Sequence, residues 1–462
     1  MSTSINRFLF IGPIAAIGAY YLCFITFGFQ QSAAITAGIT VLTVIWWVSE
    51  ALPIPVTSLL PFALFPLFGV LSHTEVSSAL GSHVILLLMG AFILSKSLER
   101  SGVHKRLAIM MVNAIGAHSK KRLVFGFMVA TAMLSMWISN TATILIMLPI
   151  ALAVLSQVPE RTLKIAMILG IAYSASVGGI GTLIGTPPNV IFAGLYEQQS
   201  GQEFSFLTWM MVGIPCVIVA IPIMAVWLTR KLKGPLQIDL PIAGKWRTEE
   251  IRTLSVFALA VLAWITRNEP FGGWSDWLGI QMAGDSTVAL AAVVIMFLVP
   301  NGKGEKLLDW QTAVSIPWGM LLLFAGGIAL AKGFTVSGLS KLIGDGLSSF
   351  TQFPLLATVL LLCLCVTYLT EITSNVATAT LLLPILYLVG ISYGVDPVVL
   401  MVPATMAASC AFMLPVATAP NAIAYGTGEI EIKDMVKEGA VLSFTISSIL
   451  ALLTYFLLGW LL

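Results

Sequence analysis

The chain alternates long apolar runs with short polar breaks at an interval that fits spanning helices. A helix needs about 20 apolar residues to cross a bilayer. Runs of that kind lie near 8–28, 32–50, 54–71 and 83–100, and again near 165–195, 206–229, 251–268, 284–300, 313–333, 398–427 and 439–462. Two further regions, 123–158 and 353–394, are longer and differ in kind: each carries a polar cluster near its middle. The first is Ser139-Asn140-Thr141 and the second Ser374-Asn375-Val376, and in both a proline (Pro149, Pro384) follows nine residues after the asparagine. Each cluster is answered downstream by a second breaker, Gly185-Thr186-Pro187-Pro188-Asn189 and Ala417-Thr418-Ala419-Pro420-Asn421. Doubled polar interruptions in an apolar chain point to a site at mid-membrane depth between two related halves.

Composition narrows the class. The chain is 58% hydrophobic and 10% charged over 462 residues, where a soluble protein carries about a quarter of its residues charged. It reads as an all-α integral membrane protein. Phe8 to Phe29 lacks a small-residue cleavage site and is expected to remain as a span. A net charge of +2 gives no reason to expect a nucleic-acid partner. The five cysteines all fall in apolar runs, as packing residues do, and the four histidines show no metal-ligand pairing.

Loop charges orient the spans. Arg7, the 105–122 cluster, Arg161/Lys164, Arg230/Lys231/Lys233, Lys245/Arg247, Lys303/Lys306 and Lys433/Lys437 form one basic set, while 196–205 and 269–282 contain no Lys or Arg. One topology satisfies them all. In it, 123–158 and 353–394 enter, turn at the polar cluster and leave on the side they came from. About eleven crossings remain, with the N-terminus cytoplasmic and the C-terminus outside. Two full spans in each region would put Ser-Asn-Thr at a surface turn with no charged or Gly/Pro loop around it.

The same order of features occurs twice. Leu87 to Gly102 resembles Leu323 to Gly338, with Lys96 and Lys332 offset by 236; the asparagines 140 and 375 are offset by 235 and the breakers 185 and 417 by 232. By the loop charges the two copies run in opposite directions, an inverted repeat of the kind found in secondary transporters.

The residue types at the interruptions suit ions. Helix N-termini offer N–H donors and partial positive charge, and C-termini offer carbonyls. Ser139, Thr141 and Ser374 add hydroxyls, and Asn140 and Asn375 add amides that donate or accept. Carboxylates and a small hard cation would both find partners there. No Arg or Lys lies in either motif, so a bound dianion would draw its counter-charge from co-bound cations. Helix capping is the plain alternative for such residues. Asp345 and Glu371 are the acidic residues that an intramembrane enzyme would have to use, but no second Asp in an apolar span pairs with Asp345, and Glu371, beside the second tip, is expected to be a structural partner or a cation-field residue.

The paired tips, with Ala408-Ser-Cys-Ala-Phe-Met-Leu-Pro-Val-Ala-Thr-Ala-Pro-Asn421-Ala-Ile-Ala, resemble the divalent anion/sodium symporter family. This is the INDY-type group of dicarboxylate, citrate and sulfate transporters, bacterial sodium-dependent dicarboxylate transporters among them. The resemblance implies a homodimer in the plasma (inner) membrane, and an elevator motion of a transport domain against a scaffold. The scaffold would comprise 1–82 and 206–312. Spans with amphipathic connectors would occupy 83–118 and 313–350, the second connector covering 334–347. The transport halves would be 119–205 (hairpin 123–158, broken helix 165–195) and 351–462 (hairpin 353–394, broken helix 398–427, last helix). It further implies one sodium ion at Ser135, Ser139, Asn140 and Gly185, and another at Thr370, Thr373, Asn375 and Ala417. Substrate carboxylates would meet Ser139, Asn140, Thr141, Thr186, Pro187, Ser374, Asn375, Val376, Thr418 and Ala419. Val376 stands where some members carry threonine, which leaves dicarboxylate against citrate open. The expected activity is sodium-coupled import of succinate, malate or fumarate, with no organic cofactor. A sodium-independent dicarboxylate exchanger, a citrate or sulfate transporter and a channel remain as alternatives.

Overall fold

The computed structural model describes residues 7–461 apart from 117, 159, 237, 239, 241, 269–271, 341 and 343–352. Asp345 and most of the expected amphipathic stretch after 338 therefore lie outside the described residues. Among those described the secondary structure is helical, with isolated bridges in place of strands. Seven helices are long and apolar enough to cross a membrane. Large apolar side chains such as Ile14, Ile218, Val226 and Phe456 are exposed on them, as a lipid-facing surface requires.

The first part of the chain forms α1 (Phe8–Tyr21, continued by one π turn to Thr26), α2 (Gln31–Ser49), the short pieces α3 (Ile54–Thr57), α4 (Leu60–Leu67) and α5 (His73–Ser77), then α6 (His83–Ser101) and α7 (Val103–Ile115). The run 54–71 thus forms two short helices in place of one continuous helix. Pro53, Pro55, Pro61 and Pro66 remove N–H donors there and confine helix to short stretches. Next come α8 (Lys120–Ser135), α9 (Asn140–Leu155), α10 (Arg161–Gly178, with a 3₁₀ turn to Gly181), α11 (Pro187–Ser200) and α12 (Phe206–Thr229). After these follow α13 (Thr248–Ile265), α14 (Gly273–Trp277), α15 (Asp285–Leu298), α16 (Trp310–Ala313) and α17 (Trp318–Ser337). The last set is α18 (Leu355–Thr370), α19 (Asn375–Tyr393), α20 (Val398–Ala407), α21 (Ala419–Gly426) and α22 (Ile432–Leu461). The final helix starts seven residues before the expected 439, because Glu431, Asp434 and Glu438 are satisfied by basic partners and the polar stretch can stay helical.

Both polar clusters interrupt helices where expected, between α8 and α9 and between α18 and α19. The outer ends of each pair meet. Lys120 pairs with Glu160 beyond the first pair, and the Thr358 hydroxyl lies 2.7 Å from the Tyr393 hydroxyl at the base of the second. Each pair is therefore folded back on itself. The element order α6, α8–α9, α10–α11, α12 returns as α17, α18–α19, α20–α21, α22. The two copies interlock crosswise: α9 packs on α21, and α19 packs on α11. Tyr173 and Phe412 pack across the same junction with ring centroids 4.9 Å apart and planes tilted by 40°.

Basic loops that are remote in sequence meet in space. Arg161 pairs with Glu431 and Asp434, Lys164 with Glu429, and Arg230 and Lys231 with Glu438. Arg106, Arg247 and Lys303 converge on Glu249 and Glu250. A separate set joins Arg267 to Glu203 and Asp285, each at 2.8 Å, and His83 to Glu197 at 2.8 Å.

The breaks are held by partners for the freed backbone. Asn189 donates to the carbonyls of Gly179 (2.9 Å) and Thr182 (2.8 Å). Asn421 donates to those of Ala411 and Leu414, both at 3.0 Å. Glu371, 3% exposed, accepts from the N–H groups of Phe412 (2.7 Å), Met413 (2.9 Å) and Leu414 (3.1 Å), and from the Ser443 hydroxyl (3.2 Å). That resolves Glu371 as the residue that ties the break after α20. A buried donor left without its acceptor costs about 1–3 kcal/mol. Glu371→Ala is expected to lower the apparent Tm of the purified protein, and Glu371→Gln, which keeps one acceptor oxygen, to lower it less. Equal melting of all three proteins would mean that the loop is held by other contacts.

Candidate functional site

A cavity of about 490 Å³ lies where the interruptions meet. The first tip contributes Ser139, Asn140 and Thr141, and the second Ser374, Asn375 and Val376. The two broken helices contribute Gly185, Thr186 and Pro187, and Ala417, Thr418 and Ala419. Asn140, Pro187, Asn375 and Ala419 are each the first residue of a helix. Four N-termini therefore open onto one space, each presenting the positive end of a helix dipole; α9 and α19 add free N–H groups of their first turn, whereas α11 starts with Pro187 and Pro188, which carry none. Such an arrangement favours anions.

Capping accounts for some of the hydroxyls and not for others. Ser139 accepts from the N–H of Ala142 (3.2 Å) and Thr418 from that of Asn421 (3.2 Å). Ser374 and Thr186 occupy the same N-cap positions without a side-chain cap bond. Their hydroxyls are left for whatever enters the cavity.

Behind each tip sits a cluster of oxygens. The inward atom of the Asn140 amide lies 2.7 Å from Ser135 Oγ, 3.1 Å from Ala175 O and 3.2 Å from Gly185 O. Turned one way the amide nitrogen donates to all three. Turned the other way its oxygen completes a cage of hydroxyl and carbonyl oxygens, the ligand type a hard cation takes. Ser135 also donates to Ala175 O at 2.7 Å. The second cluster repeats the first: Thr370 Oγ1 donates to Asn375 Oδ1 (2.6 Å) and to Ala408 O (3.2 Å). Residue 185 has no room for a side chain, since an added Cβ would lie 2.5 Å from Gly179 O. That close approach brings the Gly185 carbonyl to the Asn140 amide.

The structure thus gathers every expected anion-contacting residue, with Gly185 and Ala417, into one cavity wall. Ser135 and Thr370 are fully buried behind the tips. Thr373 is off the wall as well, its hydroxyl donating to Leu369 O (2.8 Å) and lying 2.7 Å from that of Thr378; a role in cation binding would fall to its carbonyl.

Other wall residues carry no mark in the two motifs. Ala91, Phe92, Ser95, Lys96 and Glu99 come from α6, and Ser315, Pro317 and Met320 from the chain before and within α17. The absence of Lys and Arg from the motifs is therefore not an absence from the cavity. The one sequence signal for Lys96 was its place in the repeated Leu87–Gly102 segment.

Residues 6–462 match the family model described as the sodium:sulfate symporter transmembrane region. A relative from Staphylococcus saprophyticus, described as the sodium-dependent dicarboxylate transporter SdcS, is 40% identical, with 97% of this chain and 90% of that protein covered. SdcS from Staphylococcus aureus is 41% identical over 91% of this chain and 85% of its own length. Among solved structures, the YdaH transporter of Alcanivorax borkumensis superposes with a TM-score of 0.60 at 14% identity, covering 84% of this chain and 88% of that one, a likeness of fold alone. With a model matched along nearly its whole length and relatives this similar, the chain belongs to the sodium:sulfate symporter family of membrane transporters.

Proposed function

We propose that the protein is a sodium-coupled importer of C4-dicarboxylates such as succinate, malate and fumarate. One observation carries the reading: both tips and both broken helices line a single cavity, and each tip is backed by the same asparagine–hydroxyl–carbonyl cluster. The cavity's size is in the range of small-molecule sites, about 300–1,000 Å³. The SdcS relatives, named as sodium-dependent dicarboxylate transporters, favour the same chemistry.

In this reading Ser135, Asn140 and Gly185 hold one sodium ion, with Ser139 alongside. Thr370, Asn375, Ala417 and the Thr373 carbonyl hold the other. Each asparagine turns one amide atom to the cation and the other to the cavity. Substrate carboxylates bind on the N-termini of α9, α11, α19 and α21, and on the hydroxyls of Thr141, Thr186 and Ser374. Bringing a dianion to this depth without compensation would be strongly unfavourable. Sodium at the two clusters supplies the compensation and fixes the tips, so each ligand raises the other's affinity by the same factor.

The hairpins α8–α9 and α18–α19 are re-entrant from opposite sides, the halves form an inverted repeat, and about eleven helices cross the membrane. The N-terminus is cytoplasmic and the C-terminus outside. Residues 119–205 and 351–462 move together against a scaffold of 1–82 and 206–312 in an elevator cycle, within a homodimer.

Three tests bear on the reading. Lys120→Cys and Glu160→Cys, introduced singly, are expected to label from the cytoplasmic side in both cases; labelling from opposite sides would exclude a re-entrant first hairpin. Purified protein in liposomes is expected to accumulate labelled succinate with sodium outside and not with potassium. Equal uptake with potassium, or a succinate affinity independent of sodium, would leave exchange as the mechanism. Asn140→Ala and Asn375→Ala are each expected to reduce uptake by about 100-fold or more, as loss of a group serving both ligands implies, while the protein still folds. Near-normal transport by either variant would reduce its motif to helix capping.

A further inference from the structure

Among the described residues, Lys96 and Glu99 are the charged side chains that line the cavity. They lie on successive turns of α6, across from the tips. Lys96 Nζ donates to Glu99 Oε2 at 2.7 Å, with the two side chains 30% and 24% exposed. On an ordinary helix surface such a pair faces bulk water and adds little. This one faces the space onto which four helix N-termini open. Arg100, the next basic residue along, is turned away and pairs with Glu305 and Asp309. Lys332, which matches Lys96 in the repeat, lies outside the cavity and donates to Glu75 O and Ser78 Oγ, both at 3.0 Å. The second half thus uses its lysine to hold the C-terminal end of α5, and the first half leaves its lysine in the cavity with a single carboxylate partner.

A dicarboxylate presents two charges to this space. The N-termini and amides at the tips offer partial positive charge, and Lys96 offers a whole one. Its ammonium has three donors, of which Glu99 engages one. An anion whose only charged group is held at the tips has nothing to set against Glu99. An anion with a second charged group does. We propose that Lys96 is a specificity-determining residue that shares its ammonium between Glu99 and the second charged group of the substrate, so that the cavity selects dianions over monoanions. The inference rests on the reading of the cavity as an anion-transport site. Glu99 sets the threshold: it keeps the ammonium neutralised until a dianion arrives.

The test is equilibrium binding to the purified full-length protein at saturating sodium, with matched anions of different charge. Succinate is compared with butyrate, and sulfate with methanesulfonate. Lys96→Met is expected to weaken binding of the dianion about tenfold or more and to change the monoanion less than about twofold. Glu99→Gln frees the ammonium and is expected to tighten the dianion severalfold. The double variant is expected to behave as Lys96→Met does. Stabilisation by sodium alone, read as a rise in Tm, reports that each variant is folded. Should Lys96→Met fail that check, Glu99→Gln decides the matter by its selectivity: tightening of succinate with butyrate changed less than about twofold upholds the proposal, and equal tightening of both overturns it, since loss of a carboxylate alone favours every anion. The proposal is overturned if Lys96→Met leaves dianion binding unchanged, if Glu99→Gln weakens or does not alter it, or if the double variant binds the dianion as tightly as the unaltered protein. Absence of succinate binding by the unaltered protein would overturn the dicarboxylate reading instead, and the sulfate pair would then judge Lys96.

Discussion

A backbone that breaks inside an apolar interior must find a partner for every N–H and carbonyl it frees. The remainder of this structure follows from how four such breaks are satisfied. Asn189 and Asn421 each bridge two carbonyls of the segment before their own helix. Glu371 accepts from three consecutive N–H groups of the break after α20. Once those groups are paired, the ones still open are the helix starts facing the cavity. The site is what remains unpaired after the structural needs of the breaks have been met.

The halves meet the same need by different chemistry. In the second half a carboxylate gathers the loop 412–414. In the first, Met136 occupies the position 235 residues earlier, and the Thr182 hydroxyl donates to its carbonyl. One half therefore carries a buried carboxylate next in sequence to Thr370 of its oxygen cluster, and the other does not. The two oxygen clusters thus sit in different electrostatic surroundings.

Much of this was legible in the sequence because a polar residue in an apolar run has few places to be. Ser139-Asn140-Thr141 and Ser374-Asn375-Val376 interrupt helices as their pattern requires, and the Pro-Asn breakers mark the two broken helices. What was not legible depended on distance in sequence. The partners of Glu371 lie 41–43 and 72 residues away, so its role could not be read from its neighbours. Lys96 sits in an unbroken helix, where nothing local says which face looks into a cavity. The prolines of 53–66 break a run whose hydropathy alone reads as one span. The early start of α22 depends on ion pairs with Arg161, Arg230 and Lys231, which no periodicity encodes.

The crosswise packing of α9 on α21 and α19 on α11 also bears on how the chain is made. When α11 leaves the ribosome, its partner α19 is still about 190 residues from synthesis, or about 10–40 s at common elongation rates. Through that interval the first hairpin and its broken helix wait in the bilayer with one face unpacked and their cavity-facing donors unshielded. The membrane-insertion machinery, or lipid and water standing in for the missing half, has to hold that intermediate. Neither half can complete its own core, so the unit that folds is the pair.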